Sequence, residues 1–122
     1  MYKILIIDDN PNICLITKII LKDIAGWEPV IAASGEEGLA SAQGEQPDAI
    51  LLDVEMPGMD GMMVLKQLRV NPETQFIPVI LFTSKKIGAE AVAQLPITGV
   101  ISKPFDTNEL INQIRLLLNW HE

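Results

Sequence analysis

The chain has one cysteine, Cys14, and one histidine, His121, among its 122 residues. A single thiol cannot close an internal disulfide, which fits a reducing compartment and a cytoplasmic setting. Apolar runs are only four or five residues long, far below the ~20 residues that span a bilayer, so no membrane association is expected. Met1-Tyr2-Lys3 leads straight into a short apolar run and two aspartates, which is not a signal-peptide pattern. Basic residues are scarce: nine Lys and Arg stand against sixteen Asp and Glu, for a formal charge of −7. They form no cluster, and direct nucleic-acid binding is not expected. Low-complexity linkers and repeats are also missing, so residues 1–122 read as one domain, long enough for an ordinary core.

Apolar stretches alternate with amphipathic ones. Strands are expected over residues 3–7, 28–33, 48–53, 77–82 and 99–102. Asn10-Pro11 opens a helix to about Ala25, stopped by Gly26. Ser34-Gly35-Glu36-Glu37 is a capping-box pattern for a helix to about Gln43, and Asp60 caps another to about Val70. Lys86 to Leu95 makes a short helix, weakened by Gly88 and halted by Pro96. Asp106 to Glu109 cap a last helix with Leu110, Ile114, Leu117 and Leu118 on one face.

Strands that are apolar at every position are buried on both faces. Five of them, separated by helices, predict an α/β fold with a doubly wound, five-stranded parallel sheet. In the flavodoxin-like strand order 2-1-3-4-5, the reversal of winding between strands one and three opens a crevice at their carboxyl ends.

Four strands end in residues suited to phosphate or metal chemistry. The first ends in Asp8-Asp9, the third in Asp53, the fourth in Thr83-Ser84 and the fifth in Lys103-Pro104. Three carboxylates within about 5 Å repel by roughly 3 kcal/mol per ionised pair at an effective dielectric of about 20. A divalent cation relieves that repulsion, and an all-oxygen donor set favours a hard metal such as magnesium. One carboxylate can then act as a nucleophile and form an acyl phosphate. Thr83 can donate to a phosphoryl oxygen, and the Lys103 ammonium can neutralise one. A nucleotide or flavin binder would instead place a glycine- or hydroxyl-rich phosphate loop after the first strand. A phosphatase with an aspartyl nucleophile would need a suitable acid two residues on and a covering cap. Glu55 matches that acid poorly, and no segment is long enough for a cap.

Over essentially its whole length the chain resembles a receiver domain of the two-component response regulators. The motifs that carry the resemblance are Ile-Ile-Asp-Asp at 6–9, Asp-Val-Glu-Met-Pro-Gly-Met-Asp-Gly at 53–61, Phe-Thr-Ser at 82–84 and Lys-Pro-Phe at 103–105. The resemblance implies a phosphoacceptor at Asp53 and a magnesium site made by Asp8, Asp9, Asp53 and the backbone carbonyl of Glu55. It makes Thr83 the switch hydroxyl and Lys103 the phosphate-contacting lysine, with the following proline commonly cis in relatives. A histidine kinase or histidine phosphotransfer protein would donate the phosphoryl group, and an unidentified output protein would read it. The phosphotransfer and its reversal would be self-catalysed, with no external metabolite turned over, and the chain would be a monomer or weak dimer. The alternatives are a non-phosphorylated scaffold on the same fold and a receiver fragment of a larger regulator.

Three further expectations are specific to this sequence. The family's usual aromatic residue three positions before the lysine is replaced by Val100, which cannot swing as a ring does. Glu55 and Lys85, two positions after Asp53 and Thr83, are expected to pair across the pocket mouth. On the first helix, with Ile13, Ile16, Ile20 and Ile24 taken as the buried side, Leu15 and Ile19 point the other way. Receivers commonly dock their donor beside this helix, so Leu15, Ile19 and Ile13 are candidates for a partner patch.

Overall fold

The computed structural model describes residues 1–103 and 105–121. Strands and helices alternate as β1 (Lys3–Ile7), α1 (Pro11–Ile19), β2 (Glu28–Ala32), α2 (Gly35–Glu45), β3 (Ala49–Leu52), α3 (Gly61–Val70), β4 (Val79–Thr83), α4 (Ala89–Gln94), β5 (Gly99–Ser102) and α5 (Leu110–Leu118). All ladders are parallel and the sheet order is β2-β1-β3-β4-β5, as expected from the sequence. Ile7 pairs with both Ala32 and Leu52, Leu52 pairs with Leu81, and Thr83 pairs with Ser102. These pairings bring the carboxyl ends of four strands to one edge.

Side chains alternate across the sheet and fill two apolar layers. Leu5, Ile7, Leu52 and Leu81 pack toward α2 and α3, where they meet Val64 and Leu68. Ile4, Ile6, Leu51, Ile80 and Phe82 pack toward α1 and α5, against Leu21, Leu110 and Ile114. Three of the expected helix starts are present, whereas α4 begins at Ala89 rather than Lys86 and the expected Asp106–Glu109 cap of α5 is not made. Asn10 Oδ1 accepts from the N–H groups of Asn12 (3.0 Å) and Ile13 (3.2 Å), Ser34 Oγ from Glu37 (3.2 Å), and Asp60 Oδ1 from Met63 (3.0 Å). Each bond satisfies an amide that the first helical turn leaves unpaired.

The first helix differs from expectation in phase. Cys14, Thr17, Ile20 and Leu21 are buried, whereas Ile16 and Ile24 are exposed. A π-helical turn over Ile20–Ile24 follows α1 directly, and its wider winding changes which side faces the sheet. The small Cys14 and Thr17 side chains occupy the face turned to the sheet. In the last helix Ile111 is buried with Leu110 and Ile114, while Leu117 and Leu118 are only half-buried. Residues 106–109 form a turn, and no side chain caps α5. Helix α4 is six residues long and buries none of them. Trp120 folds back and stacks on Tyr2, with ring centroids 3.7 Å apart, which ties the end of α5 to the start of β1. None of these helices is long and apolar enough to cross a membrane.

Candidate functional site

The alternation that fills the α1/α5 layer also builds the site. Asp8 lies two residues beyond Ile6, Asp53 two beyond Leu51, and Lys103 two beyond Ile101, so one more step of the same pattern aims all three side chains into one crevice. Carboxylate oxygens of Asp8, Asp9 and Asp53 all lie within 4.8 Å of one another. Asp8 and Asp53 are buried, at 1% and 6% exposure, and Asp9 is exposed. Lys103 Nζ lies 2.5 Å from Asp8 Oδ2 and 3.6 Å from Asp53 Oδ1.

The remaining contacts hold the carboxylates in place. Asp8 Oδ1 accepts from the Asn10 N–H (2.9 Å), and Asp53 Oδ1 accepts from the Glu55 N–H (3.3 Å). Asp53 Oδ2 accepts no hydrogen bond among the described residues. Burial pushes the Asp53 carboxyl above its ordinary value, Lys103 pulls it back, and Asp8 pushes it up again. Cys14 donates its S–H to the Asp8 backbone carbonyl at 3.2 Å. Burial first, and then the Asp8 charge, push that thiol up to about 11. The sequence pointed to Cys14 only as an unpaired thiol, because the apolar pattern of the first helix does not show which side faces the sheet.

Thr83 belongs to the opposite face, with Val79 and Leu81, and is 1% exposed. Its Oγ1 accepts from the Lys85 N–H at 3.0 Å, which links the β4 edge to the loop before α4. The expected Glu55–Lys85 ion pair is not formed. Both side chains are exposed, and solvated charges at a pocket mouth gain little from pairing. Val100 is half-buried against the α2/α3 layer. The expected cis peptide before Pro104 lies outside the described residues. On α1, Leu15 and Ile19 are exposed (56% and 48%), with Ile16 beside them at 44%, while Ile13 is half-buried.

The donor set is entirely oxygen, with the lone nearby thiol turned toward a carbonyl, so the cluster suits a hard divalent cation. A doubly wound sheet with three clustered carboxylates, a lysine and a hydroxyl at one edge defines a signalling receiver. Residues 4–115 match the family model of the response regulator receiver domain, and the chain belongs to that family. Protein PilH of Pseudomonas aeruginosa is 34% identical over 121 residues, covering 97% of this chain and 98% of PilH. The DNA-binding dual master transcriptional regulator RpaA of Synechocystis is 37% identical over 97% of this chain and 49% of its own length. The chain thus spans about half the length of several curated relatives it matches.

Among solved structures, the chemotaxis response regulator CheY4 of Vibrio cholerae superposes with a TM-score of 0.87 at 32% identity, covering 96% of this chain and 98% of that one. The receiver domain of sensor histidine kinase PA1611 from Pseudomonas aeruginosa, solved with magnesium in its active site cleft, gives 0.85 at 25% identity over 97% and 98%. Members of this family are two-component signalling domains rather than metabolic enzymes.

Proposed function

We propose that residues 1–122 act as one receiver unit in which Asp53 accepts a phosphoryl group from a phosphohistidine. The donor would be a histidine kinase or histidine phosphotransfer protein. The observation that carries this reading is the convergence of Asp8, Asp9, Asp53 and Lys103 at the edge where Thr83 ends β4. Asp53 Oδ2 is the nucleophile, because Oδ1 is engaged by the Glu55 amide and faces Lys103. An O–P bond forms as the donor N–P bond breaks, and the imidazole leaves with the electron pair and takes a proton from solvent. A carboxylate whose proton affinity is raised by burial is the better nucleophile.

Lys103 supplies a positive charge to the growing negative charge on phosphorus oxygens, and the Thr83 hydroxyl has its hydrogen available to donate. Asp8, Asp9, Asp53 and the Glu55 carbonyl would hold magnesium, which when bound adds positive charge at the same oxygens. The nine Lys and Arg are outnumbered by acids and form no basic cluster to hold a nucleic-acid backbone, which favours signalling by protein contact. Incubation with magnesium and acetyl phosphate is expected to add the mass of one phosphoryl group. Borohydride trapping should then convert residue 53 to homoserine. A protein that binds magnesium yet gains no mass would overturn this reading in favour of a scaffold.

The donor is expected to dock on the exposed α1 face. Leu15, Ile16 and Ile19 form an apolar strip there, and a groove of about 380 Å³ lined by Asp8, Asp9, Leu15, Lys18 and Ile31 leads from the strip to the carboxylates. Leu15→Glu combined with Ile19→Glu should slow transfer from the cognate phosphohistidine by about tenfold or more, the usual cost of losing an interface anchor. Both positions are solvent-facing, so the reaction with acetyl phosphate should be unchanged. Equal rates from the protein donor would move the docking site elsewhere.

A further inference from the structure

Lys103 is held by more than its two carboxylates. Its Nζ lies 5.2 Å from the ring centroid of Phe82, over the ring face, within the range in which the negative face of an aromatic ring attracts a cation. Phe82 is 1% exposed. It lies on the same face of the sheet as Asp8, Asp53 and Lys103, one residue short of the end of β4. Phe105, beyond the end of β5, packs against Phe82 with centroids 5.3 Å apart at 38° and fixes the tilt of its ring. The Lys103 side chain is 13% exposed, so the ring acts on a largely desolvated ammonium, where such attraction is strongest.

We propose that Phe82 is a positioning residue for phosphoryl transfer, one that holds the Lys103 ammonium over its ring and within reach of both Asp8 and Asp53. The inference rests on the reading of Asp53 as phosphoacceptor. At rest the ammonium lies closer to Asp8 than to Asp53, at 2.5 Å against 3.6 Å. A phosphoryl group on Asp53 moves the negative charge to the Asp53 side. The pull of the ring does not depend on which carboxylate the ammonium faces, so it lets the cation shift sideways without climbing out toward water. Without the ring's charge distribution the cation settles on Asp8, and less of its charge reaches the transferring group.

The test separates the ring's electrostatics from its volume. Phe82 is replaced by fluorinated phenylalanines carrying one, two and three ring fluorines, which keep the shape and weaken the negative face stepwise. Phosphorylation by acetyl phosphate with magnesium is followed by intact mass, and melting temperature is measured alongside. The rate is expected to fall stepwise with each fluorine, reaching about three- to tenfold for the trifluorinated ring, while melting temperature stays near that of the parent. Phe82→Leu, which keeps the site dry, should show at least the same loss. A flat rate across the fluorinated series with a reactive parent protein overturns the inference alone. An unreactive parent overturns the phosphoacceptor reading and the inference with it.

Discussion

Asp53→Asn is expected to have two opposite effects: phosphoryl gain falls by about a hundredfold or more, and the metal-free protein becomes harder to unfold. Asparagine keeps the shape of the side chain and can still accept from the Glu55 amide, but its neutral amide oxygen is a poor nucleophile. The stability gain follows from the burial of the Asp53 charge first and from its neighbouring carboxylates second. Each ionised carboxylate pair within 4.8 Å repels by about 3 kcal/mol at an effective dielectric near 20. Lys103, at 3.6 Å from Asp53, offsets more than one such pair, and solvent screens the share of the exposed Asp9. Burial adds to what remains, so the ionised Asp53 opposes folding, and its removal should stabilise by about 1–2 kcal/mol, or several degrees in melting temperature.

The sign can be checked with pH. The folded protein holds the Asp53 proton more tightly than the unfolded chain. The penalty therefore grows as pH rises from the ordinary carboxylate range through the raised folded value, and it is fully present only above that value. The Asp53→Asn gain should shrink toward zero as pH falls below the ordinary value, where the carboxyl is protonated in both states. Magnesium should raise the melting temperature of the parent protein and raise that of the variant less. A melting temperature indifferent to both substitution and magnesium would contradict a clustered acidic pocket.

The strand endings were legible because a parallel strand buried on both faces is apolar until it leaves the sheet. Asp8, Asp53, Thr83 and Lys103 each stand at such a break, and the 2-1-3-4-5 order brings the breaks together. The first helix was less legible because it is apolar almost all the way round. Ile13, Leu15, Ile16, Ile19, Ile20, Leu21 and Ile24 support more than one buried stripe, so periodicity alone does not choose a phase. The sheet chose Cys14, Thr17, Ile20 and Leu21. Leu15 and Ile19 remained exposed because they lie opposite either stripe. The Glu55–Lys85 pair failed for another reason: spacing along two loops says nothing about whether solvated side chains close the gap. Phe82 read as one more core residue, and only the register of β4 against β5 shows that its ring faces a cation.

Gly61→Ala is expected to cost about 3 kcal/mol or more and to slow phosphorylation as well, because the methyl group has only backbone to push against. Gly61 starts α3, and its N–H donates to the Val54 carbonyl at 2.9 Å. An added Cβ would clash with the Asp53 carbonyl oxygen and lie 2.7 Å from the Val54 Cα. No rotamer change relieves those contacts. Either α3 shifts outward and uncovers Val64 and Leu65, or the loop carrying Asp53 shifts and moves its carboxylate, the proposed nucleophile, relative to Lys103. Gly44→Ala is the matched control. A Cβ there meets nothing within 4 Å, and the position lies inside α2, so alanine should stabilise by about 0.5–1 kcal/mol. Denaturant unfolding of the two variants, with phosphorylation rates alongside, distinguishes a close-approach glycine from an ordinary helical one. A Gly61→Ala protein as stable and as reactive as its parent would show that the α3 start does not hold the Asp53 loop in place.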